Sequence, residues 1–526
     1  MSATRASTAS WLAFVVSLAF AVAFSIGEDL RPTLTETPSL IGHADQAHTA
    51  LVARNIAHGA GAVSHALWLL RDLPEDQQLV YGENYWSVYV AYYLSLFFRV
   101  LKPDLTTVIL AASVCKSILG LVCAFVVLRL TRSKLAALGA LAMLLLSPSM
   151  VRATNGLNDL YMTFAITLAA LALAFAAARR RGTLFFLSGM ATGIAIGAKP
   201  TGMILFGVYA FYLVRERLRP YALRGVALAT CGLALGLLPQ IAHNVVHHDT
   251  ATFLPAAQER VQQAGWVRQV TLSHNTGFYS NRPLDVDPDW SLGDQFGRSL
   301  LTTRAWLDVM FREGRVVAFA LLVPYILAIA LTLGWRRLRR DKLDPVSRNV
   351  VGISVLMLGA ALALTAMVHV ETRYLNFLVP FFVLTIALVG ARVSPIVPIL
   401  CAGLLVPAGL HALQERRFEP LPRAYDVIDR TVPSDAILYS ANPWELAFHT
   451  GRRTISLPHS DWDEFWELAE RFDITHVVVI DGDARHAIYD PLWQQNFPPG
   501  ITKVHAGRRL AIGALNPSAR EPGPSQ

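Results

Sequence analysis

The sequence predicts a polytopic α-helical membrane protein with about eleven transmembrane helices of near-bilayer length, followed by a small C-terminal α/β domain. Three observations carry that expectation. Hydrophobic residues make up 53% of the 526 and charged residues only 16%, against roughly 25% charged in soluble domains. With a mean hydropathy of +0.41, the chain has more apolar surface than soluble cores could bury. The Lys and Arg residues behind the net charge of +8 gather in short clusters between apolar runs, as topology signals do, and not on one face as in nucleic-acid binders. From about Glu415 the composition changes to short strands alternating with amphipathic helices. Disorder, a collagen-like chain and an ordinary cytosolic enzyme are excluded, and no nucleic-acid partner is expected.

The first span, Trp11 to Gly27, follows Arg5 and runs on into Glu28 and Asp29 without a small-residue cleavage site, so it reads as retained. Further apolar runs near 20 residues occupy 106–128, 135–151, 159–178, 183–198, 200–214, 222–241, 316–334, 350–368, 375–391 and 394–411. Basic clusters fall in alternate loops: Arg129, Arg132 and Lys134; Arg179 to Arg181; Arg215, Arg217, Arg219 and Arg224; Arg336, Arg337, Arg339, Arg340 and Lys342. That alternation puts the N-terminus in the cytoplasm and the C-terminus outside. The stretch from Trp86 to Val100 is short and rich in Tyr and Phe. Counting it as a span would invert the loops after it, so it reads as an interfacial or re-entrant helix.

The expected domains are 1–414 for the membrane part, with outer loops 28–105 and 242–315, then 415–515 for the α/β domain, then a flexible tail at 516–526. Strands are expected at 436–440, 454–458, 475–481 and 508–515, with helices near 463–472 and 488–496. No Gly-rich phosphate loop follows any of these strands. Cys115, Cys123, Cys231 and Cys401 all lie in apolar runs, which gives neither a disulfide framework nor zinc spacing.

The unusual polar residues cluster at the outer ends of spans. Asp45 stands in HADQAHTALVARN, on a helix after the first span, and could equally be a solvated loop carboxylate. Asp159, in NGLNDLYMTF, opens the fourth span, where a helix cap is the plain alternative. Lys199, in IAIGAKPTGMILF, could simply snorkel. Arg373 and Tyr374, in HVETRYLNFLVP, could anchor an interface or pair with Glu371. Lys116 lies within the second span, where an unpaired lysine costs about 2.5–3.5 kcal/mol. A phosphate, Asp45 or Asp159 could compensate it. His43 and His48 flank Asp45, and His243 and His247 open the long outer loop. Together these histidines could take a divalent metal, but their spacing matches no specific signature, and no cofactor is required.

In order and sidedness these segments resemble the GT-C fold polyprenyl-phosphate-sugar glycosyltransferases, similar to protein O-mannosyltransferases and lipid A aminoarabinose transferases. The resemblance rests on Asp45 before ALVARNIAHGAG, Asp159, the KPTG segment at Lys199, Arg373 and Tyr374 before LNFLVP, and an outer C-terminal domain. It departs at Gln46 and His48, where relatives carry an acid or tyrosine, and at Asp159, where many carry Glu. It implies a bacterial cell-membrane enzyme with a periplasmic active site, a polyprenyl-phosphate sugar donor, and an envelope glycan, lipid or protein acceptor. Asp45 and Asp159 would be catalytic, and Lys199, Arg373, Tyr374 and Lys116 would bind the donor phosphate. A lipid or sugar transporter or flippase, and a lipid-linked polysaccharide ligase or polymerase, are the competing classes. The transporter would need polar residues at mid-span and pseudo-symmetric halves.

Overall fold

The computed structural model describes residues 2–35, 41, 44–67, 80–82, 87–154, 157–254, 321–338, 343–367, 376–415, 423–458, 461–480, 489–516 and 518. The chain divides into two compact units: Met1–Thr35, Thr106–Ile241 and Trp290–Arg417 form one, and Glu36–Leu105, Ala242–Asp289 and Phe418–Gln526 the other.

The first unit is helical. Its described helices are α1 (Ser2–Thr35), α4 (Leu105–Thr131), α5 (Lys134–Leu146), α6 (Pro148–Ala153), α7 (Leu157–Arg179), α8 (Gly182–Ala198), α9 (Ile204–Arg215), α10 (Pro220–His248), α11 (Val323–Leu338), α12 (Pro345–Met367), α13 (Val379–Val393) and α14 (Val397–Glu415). The described parts of the apolar runs read as spans fall largely within these helices. Among the described residues six helices are long and apolar enough to cross a membrane, α1, α4, α7, α10, α14 and the run Asn376–Val393; the remaining runs are shorter apolar helices. One expected span is broken. Pro148 follows Ser147, whose backbone is extended at φ −62° and ψ 122°, because proline disfavours the helical region for the residue before it. The run therefore splits into α5 and α6, and Ser133 caps α5 by accepting from Ala136 N at 3.1 Å.

Glycine sets the closest helix approach in this unit. A Cβ on Gly189 of α8 would stand 1.8 Å from the carbonyl oxygen of Ala229, and one on Gly232 of α10 would stand 2.1 Å from that of Phe186. Gly193 and Gly236 meet the partner backbone in the same way. The two helices thus present Gly-x-x-x-Gly faces to each other, the small-residue packing that replaces the hydrophobic effect where the solvent is itself apolar. Hydrogen bonds join neighbours: Ser188 of α8 donates to Ala169 O of α7 at 2.7 Å and lies 2.6 Å from the Tyr209 hydroxyl of α9, and Asn349 of α12 donates to Ala174 O of α7 at 3.1 Å.

The second unit is built on a mixed sheet. Its elements are α2 (Ala44–Ala57), β1 (Val63–Ser64), β2 (Ala66–Leu67), β3 (Tyr81–Gly82), α3 (Val88–Phe98), α15 (Ala424–Thr431), β4 (Ile437–Ser440), α16 (Pro443–Thr450), β5 (Arg453–Ser456), α17 (Trp462–Arg471), β6 (His476–Ile480), α18 (Asp490–Trp493), β7 (Ile501–Ala506) and β8 (Leu510–Leu515). Six strands run in the order β2-β5-β4-β6-β8-β7, with β2, β5, β4 and β6 parallel and β8 and β7 antiparallel. One face packs Tyr439, Phe465, Val477 and Tyr489 together, and the other packs Ile428, Leu438, Val478 and Ile512. Arg452, buried, pins α15 by pairing with Asp429 at 2.5 Å and donating to Val432 O at 2.7 Å.

The expected strands at 436–440, 454–458, 475–481 and 508–515 coincide with β4, β5, β6 and β8. Two strands of the six-stranded sheet, β2 and β7, were not anticipated, and neither was the separate antiparallel pair β1 and β3. Residues of β7 alternate poorly, with Thr502, Lys503 and Val504 all exposed. β2 is two residues long, and it comes from the stretch between the first two apolar runs: Ala66 pairs with Thr454 and Leu67 with Ile455. A boundary at residue 415 therefore does not enclose this sheet. α3 has eleven residues, short of the roughly 20 that a span needs.

Candidate active site

Asp159 and Lys199 are brought together by a local break in the chain. Pro200 forces Lys199 out of the helical region, to φ −160° and ψ 134°, and opens a single 3-10 turn, Pro200–Met203. That turn folds back hard on α8: a Cβ on Gly202 would lie 2.6 Å from the backbone of Ala195 and Ile196, and Gly202 N donates to Lys199 O at 2.9 Å. The extended backbone directs the Lys199 side chain to the first turn of α7, where its Nζ lies 2.5 Å from Asp159 Oδ1. Both side chains are largely buried, at 16% and 4% exposure. A carboxylate in the first turn also suits the helix dipole.

Lys116 is compensated by a residue that sequence reasoning had not paired with it. Its Nζ lies 2.6 Å from Asp29 Oδ2, with the two side chains 1% and 0% exposed, and Ser113 donates to the same oxygen at 2.8 Å. Asp29, near the end of α1, thus supplies a counter-charge to Lys116 that the sequence had not offered among the candidates. The reason is reach: Asp29, assigned from the sequence to a loop, is carried on by a helix that continues to Thr35.

Asp45 stands in the first turn of α2, partly exposed, and its carbonyl accepts from Thr49 at 2.8 Å. His48, one turn on, is buried. Burial pushes its imidazole down to about 4, with the Asp45 carboxylate opposing the shift, so the ring is neutral at pH 7. The other end of α2 is fastened by residues that the sequence did not single out. Arg54 donates to Phe448 O at 2.5 Å and to Ala447 O at 3.2 Å, the last-turn carbonyls of α16, and lies 3.1 Å from His65 Nε2. Asn55 donates to Val63 O at 2.8 Å. The only sequence signal for Arg54 was a cation set among the small and apolar residues of TALVARNIA.

His243 and His247 lie with ring centroids 4.6 Å apart and planes tilted by 44°, and His248 stands 5.8 Å from His243. Among the described residues no group of three or more His, Cys, Asp or Glu side chains is arranged to hold a metal ion. His43, Arg373 and Tyr374 lie outside the described residues.

Residues 87–243 match the family described as dolichyl-phosphate-mannose-protein mannosyltransferase. Over that segment, which includes Lys116, Asp159 and Lys199, the match upholds the resemblance to GT-C polyprenyl-phosphate-sugar glycosyltransferases. No curated protein sequence matches the chain. Among solved structures, the chain is similar to ArnT from Cupriavidus metallidurans in the apo state, at 13% identity and TM-score 0.42, over 98% of this chain and 100% of that one. It is similar also to the same protein bound to undecaprenyl phosphate, at 14% identity and TM-score 0.42, over 98% and 99%.

Proposed function

We propose that this protein is a membrane glycosyltransferase that moves a sugar from a polyprenyl-phosphate donor to an acceptor at the outer face of a bacterial cell membrane, inverting the anomeric carbon. The observation that carries this reading is the family match over residues 87–243. The burial of Asp159 and Lys199 as a pair supports it, because ionisable residues in membrane segments pair with one another and mark substrate pathways.

The chemistry follows from the leaving group. An acceptor hydroxyl oxygen attacks the anomeric carbon, the bond from that carbon to the phosphate oxygen breaks, and the electron pair leaves on a phosphate monoester that is stable without a proton. No general acid is needed, unlike glycoside hydrolysis. One base suffices, and Asp45 would take the hydroxyl proton. Lys199 and Arg373 would hold the charge developing on phosphate. An ammonium has three donors, so Lys199 can keep Asp159 and also donate to a phosphate oxygen. Asp159 would then aim Lys199, and Tyr374 would add a hydroxyl donor beside Arg373. About eleven helices crossing the bilayer, with the C-terminal segment outside, complete the reading.

Purified protein incubated with radiolabelled polyprenyl-phosphate sugars and an envelope extract should transfer label. Asp45→Asn keeps the size and removes the proton acceptor, so transfer should fall by about 10² to 10⁴ while the donor still binds. Near-normal transfer by well-inserted Asp45→Asn protein would overturn the assignment. Labelled lipid crossing the bilayer with no sugar transfer would favour a transporter.

A further inference from the structure

The reading above leaves the sheet-forming C-terminal segment without a part in the reaction. We propose that Arg54 is a positioning residue for Asp45, through which α16 of the C-terminal segment fixes the helix that carries the base. The inference rests on the assignment of Asp45 as base.

Three fastenings converge on the end of α2 away from Asp45. Arg54 fits the C-terminal turn of α16, whose carbonyls are the groups a helix leaves unsatisfied. Gly451 ends that helix in the left-handed region, at φ 72°, and its N–H donates to Ala447 O at 2.9 Å; the guanidinium adds a second donor to that oxygen and one to the Phe448 oxygen. The cation also lies 5.4 Å from the centroid of the Phe448 ring and at the negative end of the helix dipole. Asn55 holds Val63 O, and the chain then enters the sheet at once: Thr454 N donates to His65 O at 3.0 Å, and β2 pairs with β5. The Arg54 side chain is half-buried, and burial lowers its proton affinity. His65 beside it is held down to about 4 by burial and by the Arg54 charge, so the neutral ring can accept from Arg54.

Asp45 and Arg54 are nine residues apart. At 100° per residue that is half a turn beyond two full turns, so the two side chains leave α2 on opposite sides. Between them Ala47, Ala50, Leu51, Val52 and Ala53 are buried, which makes α2 a packed strut. The clamp therefore grips the side and the end of the strut away from Asp45, whose own side chain is partly exposed. A base must sit within hydrogen-bond reach of the proton it takes, and a displacement near 1 Å far from the chemistry can cost about 10²-fold.

The test uses the full-length protein with polyprenyl-phosphate [14C]mannose, and the corresponding glucose and arabinose lipids, as donor probes. Arg54→Gln should lower kcat by about ten- to a hundredfold, with the donor KM changed by less than about twofold. Arg54→Lys should recover part of the loss, because a point charge can still reach one carbonyl. In the Asp45→Asn background Arg54→Gln should remove little more, since the group it positions is gone. A second readout needs no turnover: a nitroxide on Asp45→Cys, in a Cys231→Ser background, should become more mobile when Arg54→Gln is added. An Arg54→Gln protein that keeps wild-type kcat would overturn the proposal, as would losses from Arg54→Gln and Asp45→Asn that simply multiply, or an unchanged nitroxide spectrum. If instead Asp45→Asn itself transfers normally, the functional reading is what fails, and the nitroxide decides whether Arg54 holds the start of α2.

Discussion

Replacing Lys116 by Met, Asp29 by Leu, and both together separates a structural ion pair from a donor-binding lysine. The two side chains meet at 2.6 Å with 1% and 0% exposure, and Ser113 donates to the same oxygen at 2.8 Å. Removing one member leaves the other charge buried without its counter-charge, which costs about 3–5 kcal/mol in buried pairs. On insertion scales a lone charge within a span costs about 2.5–3.5 kcal/mol, so the two routes agree. Lys116→Met and Asp29→Leu should each lower stability by that order. The double variant should recover most of it, because replacing a whole buried pair with apolar residues of similar volume is often neutral or stabilising. The assay is thermal unfolding of the purified protein in detergent, followed by sugar transfer per folded molecule. Equal losses in the single and double variants would refute the pairing argument. A double variant that is stable yet fails to bind donor would return Lys116 to the phosphate site.

Gly189→Val and Gly232→Val should each disrupt the contact between α8 and α10 by at least the roughly 1–3 kcal/mol of an overpacked core, because the new Cβ meets a carbonyl oxygen and not a movable side chain; unfolding in detergent checks this, with Gly207→Ala, where a Cβ meets nothing within 4 Å, as the control. Stability should also fall with acid in a defined window. His48, His65 and His449 are each pushed down from 6.5 to about 4, mainly by burial. The unfolded chain therefore takes up protons below about 6.5 that the folded chain refuses until near 4, so their contribution is complete above 6.5 and is lost as pH falls through that window. Melting temperatures between pH 4 and 8 test the sign, and His449→Phe should flatten the slope. A phosphatase fused after Gln526 should be active and a fluorescent protein fused there dark, as an outer C-terminus requires.

Segment length and composition were enough to place most elements. An apolar run near 20 residues becomes a helix whatever surrounds it, because backbone groups without water must bond within the segment. Short β-branched stretches such as HVVVI at 476–480 carry their own strand signal. Proline acts locally too, so the break at Ser147–Pro148 and the extended backbone at Lys199 follow from neighbours in sequence. Partners do not. Whether Lys116 meets Asp29, whether Lys199 reaches Asp159, and whether Arg54 ends on the carbonyls of Ala447 and Phe448 depend on which elements pack side by side, across separations of 87, 40 and some 390 residues. The two-residue strand Ala66–Leu67 has no periodicity to read, and it exists because β5 offers it an edge. Local propensity and hydropathy are properties of a segment and are written in its residues, whereas an ion pair or a strand register is a property of two segments, fixed only when the folded chain brings them within a few ångströms.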